Sequence, residues 1–149
     1  MEQEKRININ AAEPQAYKAM FGLEAYLAKV EISKTLKEII KIRASQINNC
    51  AYCIDIHTKD AIKNGETNQR IFLISAWREA TKFFTEEEQI VLEMTEEITL
   101  IHQHGLSEKT YRKASGIFSE NQIAQIIMAI VTINAWNRIA VSTHQEIEG

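Results

Sequence analysis

Gln46-Ile47-Asn48-Asn49-Cys50-Ala51-Tyr52-Cys53-Ile54-Asp55-Ile56-His57 is the stretch on which the reading of this chain turns. Two asparagines interrupt a helical pattern, the only two cysteines follow three residues apart, and a histidine comes one turn later. Asn48-Asn49 reads as a break, with Asn49 the N-cap of a helix that begins at Cys50. On that helix Cys50, Cys53 and His57 fall at i, i+3 and i+7 and share one face. The positive end of the helix favours thiolate at Cys50 and, less strongly, at Cys53. His57, one turn below Cys53, can take its proton.

Outward from the break the apolar residues repeat at three and four, with no sustained alternation of period two. Pro14 suits the start of a helix that carries Met20, Leu23 and Leu27 inward. Ser33 caps a second helix with Leu36, Ile39, Ile40 and Ile47 as its apolar stripe. The helix from Cys50 ends at Lys63-Asn64-Gly65, where Gly65 takes the left-handed conformation. Thr67 caps the next, which includes Phe72 and Trp77. Thr85 and Glu88 form a capping box for a helix to about His102, ended by Gly105. Ser107 starts a short helix to about Phe118, and Ser119 with Gln122 opens a long apolar one. The expectation is an all-α single domain over residues 1–149, a compact bundle of about seven helices.

Hydrophobic residues at 45%, charged residues at 25% and a net charge of −3 describe a soluble globular chain with no electrostatic footprint for nucleic acid. The charged N-terminus leads into no apolar segment, so neither a signal peptide nor a membrane location is expected, and the cytoplasm is. Ile123–Val141 has the length of a membrane span, but Gln125, Asn134, Asn137 and Arg138 interrupt it. It reads as a helix buried on most sides, at an oligomer interface in a chain this short.

A reducing compartment disfavours static disulfides, and a pair three residues apart closes too small a loop to staple a fold. Redox chemistry and zinc binding remain. Zinc would find three ligands in Cys50, Cys53 and His57 and would need a fourth from His102 or His104, which read instead as solvated residues at a helix C-terminus. For the redox reading, helix position favours Cys50 as nucleophile and the nearby base favours Cys53. A base also needs an orienter. On one continuous helix Glu38 and Cys53 would lie roughly 22 Å apart, so Glu38 can reach His57 only if the chain bends at Asn48-Asn49. Tyr52, Trp77 and Trp136 read as packing residues. Asn134, Asn137 and Arg138, polar on an apolar helix, are expected to bond across an interface or to Glu79.

Glu38, Arg43-Ala44-Ser45-Gln46-Ile47-Asn48, Cys50-Ala51-Tyr52-Cys53 and Ile56-His57-Thr58-Lys59-Asp60-Ala61 resemble the core motif of the carboxymuconolactone decarboxylase superfamily, and more narrowly its alkylhydroperoxidase D-like branch. Gly65-Glu66-Thr67, Ala76-Trp77-Arg78-Glu79 and Ile133-Asn134-Ala135-Trp136-Asn137-Arg138 extend the likeness over most of the chain. The resemblance implies an all-helical, oligomeric thiol peroxidase with no bound cofactor or metal. In it Cys53 attacks the hydroperoxide substrate, Cys50 resolves the sulfenic acid, Glu38 and His57 relay protons, and an external dithiol restores the pair. The chain departs from the branch at Tyr52, where characterised peroxidases carry histidine. The decarboxylase branch, by similarity, does not use a cysteine pair. A disulfide reductase or redox adaptor, and a zinc-binding interaction domain, are the alternative readings.

Overall fold

The computed structural model describes residues 3–149, and all regular structure among them is helical. Eight α-helices run in chain order: α1 (Ile9–Ala12), α2 (Pro14–Leu27), α3 (Lys34–Ile47), α4 (Ala51–Lys63), α5 (Asn68–Leu73), α6 (Glu86–Thr99), α7 (Glu108–Ser115) and α8 (Glu120–Thr143). The caps form as the sequence predicts. Ser33, Thr67 and Ser107 each accept from a backbone N–H in the first turn, and Thr85/Glu88 and Ser119/Gln122 close reciprocal capping boxes. Gly65 has φ 93°, the left-handed geometry that lets the end of α4 bond its last carbonyls.

Several boundaries differ from expectation. The one-turn α1 precedes Pro14, held by the Asn8 side chain accepting from Ala11 N–H. The helix capped by Thr67 stops at Leu73 and tightens into a 3-10 turn over Ile74–Glu79, with Ala76 off helical geometry. The helix capped by Thr85 ends at Thr99, because a short 3-10 turn follows and His104 already adopts φ 87°. α7 ends at Ser115, short of Phe118.

α3 is buried on two sides, which makes it the centre of the fold. One side, with Ile40 and Ala44, packs against Val91 and Met94 of α6 and Ile126 and Ile130 of α8. The other, with Ile39 and Ile42, meets Ala61 of α4, Ile74 and Trp77. Each fully buried aliphatic side chain here is worth about 2 kcal/mol relative to exposure. α8 is long and apolar enough by length and composition to cross a membrane. Its residues Ile123, Ile126, Ile130, Ile133, Asn137 and Ala140, spaced by three and four, are buried in the core. Burial on most sides was expected and only one face is covered; Val131 and Val141 stand 43% and 46% exposed because no element packs over them.

The break at Asn48-Asn49 is a reversal. Asn48 is the C-cap of α3 and Asn49 adopts φ 51°, which asparagine tolerates better than most residues. Cys50 N–H bonds the Ser45 carbonyl at 3.0 Å and Asn49 N–H the Gln46 carbonyl at 3.2 Å, a Schellman closure. Asn49 therefore ends α3 rather than capping α4. That N-cap is Cys50, whose sulfur accepts from Cys53 N–H at 3.3 Å.

Side chains from α8 hold the reversal in place. Asn48 Nδ2 donates to Asn134 Oδ1 (3.0 Å) and Asn137 Oδ1 (2.9 Å), and Asn137 Nδ2 donates to Ser45 Oγ (3.0 Å). Asn134 Nδ2 reaches Thr99 Oγ1, and Arg138 donates back to Asn134. These partners lie within the chain, not across an interface and not at Glu79. The reversal places the Asn48 side chain and Ser45 against this face of α8, within reach of Asn134 and Asn137.

Candidate active site around the cysteine pair

α4 folds back along α3, so the cysteine end of α4 sits beside the last turns of α3 and against α8. Cys50 and Cys53 are joined as a disulfide, with Cα atoms 5.3 Å apart, and are 1% and 3% exposed. The two sulfurs differ in surroundings. Cys50 lies at the helix start, aimed at backbone N–H groups. Cys53 lines an open cleft of about 510 Å³, and Cys50 does not.

One wall of the cleft is aromatic. Tyr17 and Phe21 of α2 meet Trp136 of α8 with ring centroids 5.4 and 5.8 Å from the indole, in edge-on and tilted packing. Trp136 Nε1 donates to Glu24 Oε1 at 2.9 Å, which fixes the indole. The opposite wall carries the polar groups: Lys41 from α3, and Tyr52, His57 and Asp60 from α4. Tyr52 and Trp136, expected as packing residues, thus line the cleft. Trp77 is buried on the far side of α3 and donates to Glu96.

His57 and Cys53 share the cleft, and no hydrogen bond engages the imidazole among the described residues. Its Nδ1 is buried and unpartnered. Burial and the neighbouring Lys41 charge push its pKa down to about 4, against the opposing pull of Asp60. At neutral pH it is an uncharged imidazole. Glu38 is buried but does not line the cleft. Its one hydrogen bond is a long one, 3.5 Å from Asn64 Nδ2, and Oε2 has no partner. Burial raises its carboxyl above the usual range, partly offset by Lys41. Glu38 Oε2 and His57 Nδ1 are the two buried side-chain polar atoms without a hydrogen bond among the described residues, and no bond joins them directly.

His102 and His104 are exposed beyond the end of α6, and no group of three His, Cys, Asp or Glu side chains among the described residues converges as metal ligands. Sequence reasoning missed Lys41 and Asp60. A signal was present: Lys41 follows Glu38 by three and Asp60 follows His57 by three, so each shares a helical face with a residue already singled out. The aromatic wall had no such signal, because α2 and α8 are distant in sequence.

The carboxymuconolactone decarboxylase family model matches residues 14–96, which include α3, the reversal and α4. An uncharacterised protein of Bacillus subtilis, YdfG, is 40% identical over 138 residues, 93% of each chain. A crystal structure of a protein of unknown function from Agrobacterium tumefaciens, whose name proposes an antioxidant defence role of the AhpD kind, superimposes with a TM-score of 0.93 at 36% identity, covering 98% of this chain and 99% of that one. The debrominase Bmp8 shares the fold, with a TM-score of 0.83 at 20% identity over 93% of this chain and 74% of its own. A sulfur pair at a helix start, an all-helical frame and a relative matched nearly end to end agree with that model: the chain belongs to the carboxymuconolactone decarboxylase family.

Proposed function

We propose that this protein is a cytoplasmic thiol oxidoreductase of antioxidant defence that reduces hydroperoxides through Cys53 and Cys50. The observation that carries the reading is the asymmetry of the pair: Cys53 opens onto a cleft that holds a neutral histidine, and Cys50 sits behind it at the helix start. The Cys53 thiolate attacks the distal oxygen of the hydroperoxide. The O–O bond breaks, Cys53 becomes a sulfenic acid, and the alkoxide leaves with a proton as alcohol. The Cys50 thiolate then attacks the Cys53 sulfur, giving the disulfide and water. An external dithiol enters from the cleft at Cys53, and Cys50 departs as a thiolate favoured by the N–H groups around it.

His57, uncharged at neutral pH, can accept the Cys53 proton and pass it on. With a pKa of about 4 it transfers the proton without retaining it. Glu38 is the second relay group, and its orphan oxygen together with the orphan nitrogen of His57 supports that role. Buried polar atoms left unpaired cost stability, and a catalytic use is one reason for keeping them. The reading includes a homo-oligomer, supported by the apolar side chains left open on α8; a monomer by light scattering at working concentration removes that part.

Stopped-flow oxidation of the reduced protein by hydrogen peroxide and organic hydroperoxides tests the reaction. Cys53→Ser should abolish peroxide consumption, and Cys50→Ser should leave a sulfenic acid that a dimedone-type reagent traps. The reverse pattern would overturn the assignment. A second-order rate no greater than that of a free thiol would leave a disulfide reductase or redox adaptor, the reading that Tyr52 in the place of a histidine favours.

A further inference from the structure

A thiolate inside a half-buried cleft needs positive charge facing it, and the supply is limited here. The N–H groups at the start of α4 are directed at Cys50: it occupies the N-cap and its sulfur takes the N–H of Cys53 itself. Cys53, within the first turn, receives little of that field. Its charge environment is therefore set by the cleft.

The groups facing the cleft come from three helices. α2 contributes Glu24, held by Trp136, and Tyr17, whose hydroxyl burial keeps protonated. α4 contributes Asp60 and His57, and the imidazole is uncharged at neutral pH. α3 contributes Lys41, with buried Glu38 a turn behind it. The α8 residues on the cleft carry no charge. Lys41 is thus the one permanent cation among the residues lining it. It is half-buried, and its ammonium makes neither an ion pair nor a hydrogen bond among the described residues. An ammonium that lines the same cleft as a cysteine, with no carboxylate bonded to it, is free to pair with an anion that forms there.

We infer that Lys41 is the cation that holds reduced Cys53 as a thiolate, by lying unpaired in the cleft that the sulfur lines. The inference deepens the peroxidase reading in naming Cys53 as the ionised sulfur, but it concerns ionisation and not turnover. Lys41 favours thiolate, Asp60 and Glu24 oppose it, and His57, uncharged at neutral pH, adds no standing charge.

The test is a titration of the single thiol in reduced Cys50→Ser protein, followed by ultraviolet thiolate absorbance and by iodoacetamide alkylation against pH. Lys41→Met and Lys41→Gln should each raise the Cys53 pKa by about one unit. Lys41→Arg should restore it, and Asp60→Asn should lower it. An unchanged pKa in the folded neutral variants overturns the inference. So does an arginine variant that behaves like the methionine one, since the role would then be shape and not charge. A protein that consumes no peroxide yet shifts its Cys53 titration with Lys41 keeps this inference and loses the peroxidase reading. Rapid peroxide reduction with a titration indifferent to Lys41 does the opposite.

Discussion

Two buried carboxylates, Glu38 on α3 and Glu96 on the neighbouring α6, are treated in opposite ways. Glu96 of α6 accepts from Arg43 Nε at 2.8 Å and Trp77 Nε1 at 2.9 Å through one oxygen, and from Arg78 through the other. Burial works to raise its carboxyl, but the bonds from Arg78, Trp77 and Arg43 outweigh it and hold the group below the usual range. Glu38, on the cysteine side, has a single long bond from Asn64 and one orphan oxygen, and burial raises it. The first arrangement gives both oxygens donors, three in all, and stores stability. The second leaves the carboxyl short of donors, which is what the proposed relay role asks of it. Satisfaction, more than burial, separates the structural acid from the candidate functional one.

The largest effect should come from breaking the satisfied side. Glu96→Ala takes the carboxylate from Arg43, which keeps only Gln46, and leaves the buried Trp77 N–H unpaired, and it should destabilise the protein by about 3 kcal/mol in urea unfolding. The Cys53 chemistry of the molecules that remain folded should persist. A loss below 1 kcal/mol would mean the network is decoration.

Glu38→Gln should do the reverse, slowing peroxide reduction by about 10–100-fold while leaving the protein as stable or more so at pH 7. The sign follows from linkage. With the folded pKa raised, the folded chain holds a proton that the unfolded chain has released, so stability falls as pH rises from the unfolded value through the folded one. Glutamine removes that fall. If Glu38→Gln lost stability at pH 7 with full activity, the two carboxylates would not differ in kind.

Next comes the hinge between the two regions. Asn137 is fully buried and bonded to both Asn48 and Ser45. Asn137→Ala should cost about 2 kcal/mol, and the opened reversal should expose the cysteines to faster alkylation after reduction. Unaltered alkylation would detach α8 from the geometry of the site.

The smallest effect is the pH slope of His57. Its folded pKa is depressed to about 4 while the unfolded imidazole titrates near 6.5, so the unfolded chain binds the extra proton first. Stability should therefore decline as pH falls from 6.5 toward 4, and His57→Asn should flatten that decline in thermal unfolding scans. The ring is only partly shielded from solvent, and that screens what the shift contributes to stability.

Much of this was legible beforehand because helix signals are local. The capping residues Ser33, Thr67, Thr85, Ser107 and Ser119 act on N–H groups two or three residues away, and Gly65 answers to its own dihedral. Asn49 was read as a start when it is a stop. Asparagine serves both ends of a helix, and only the backbone closure onto Ser45 and Gln46 distinguishes them. The destination of Asn134 and Asn137 was illegible, since their partners lie 35 to 92 residues away.

By itself the sequence determined the all-helical class, the break after α3 and the placing of two cysteines and a histidine on one helix, because each depends on spacings within a few turns. The tertiary structure decided which sulfur meets the cleft, which carboxylate is satisfied and that Lys41 lines the same cleft as Cys53 unpaired. Those outcomes turn on burial and on donors from α2, α6 and α8. A residue's neighbours across the core fix its desolvation and its charge, and no spacing along the chain encodes them.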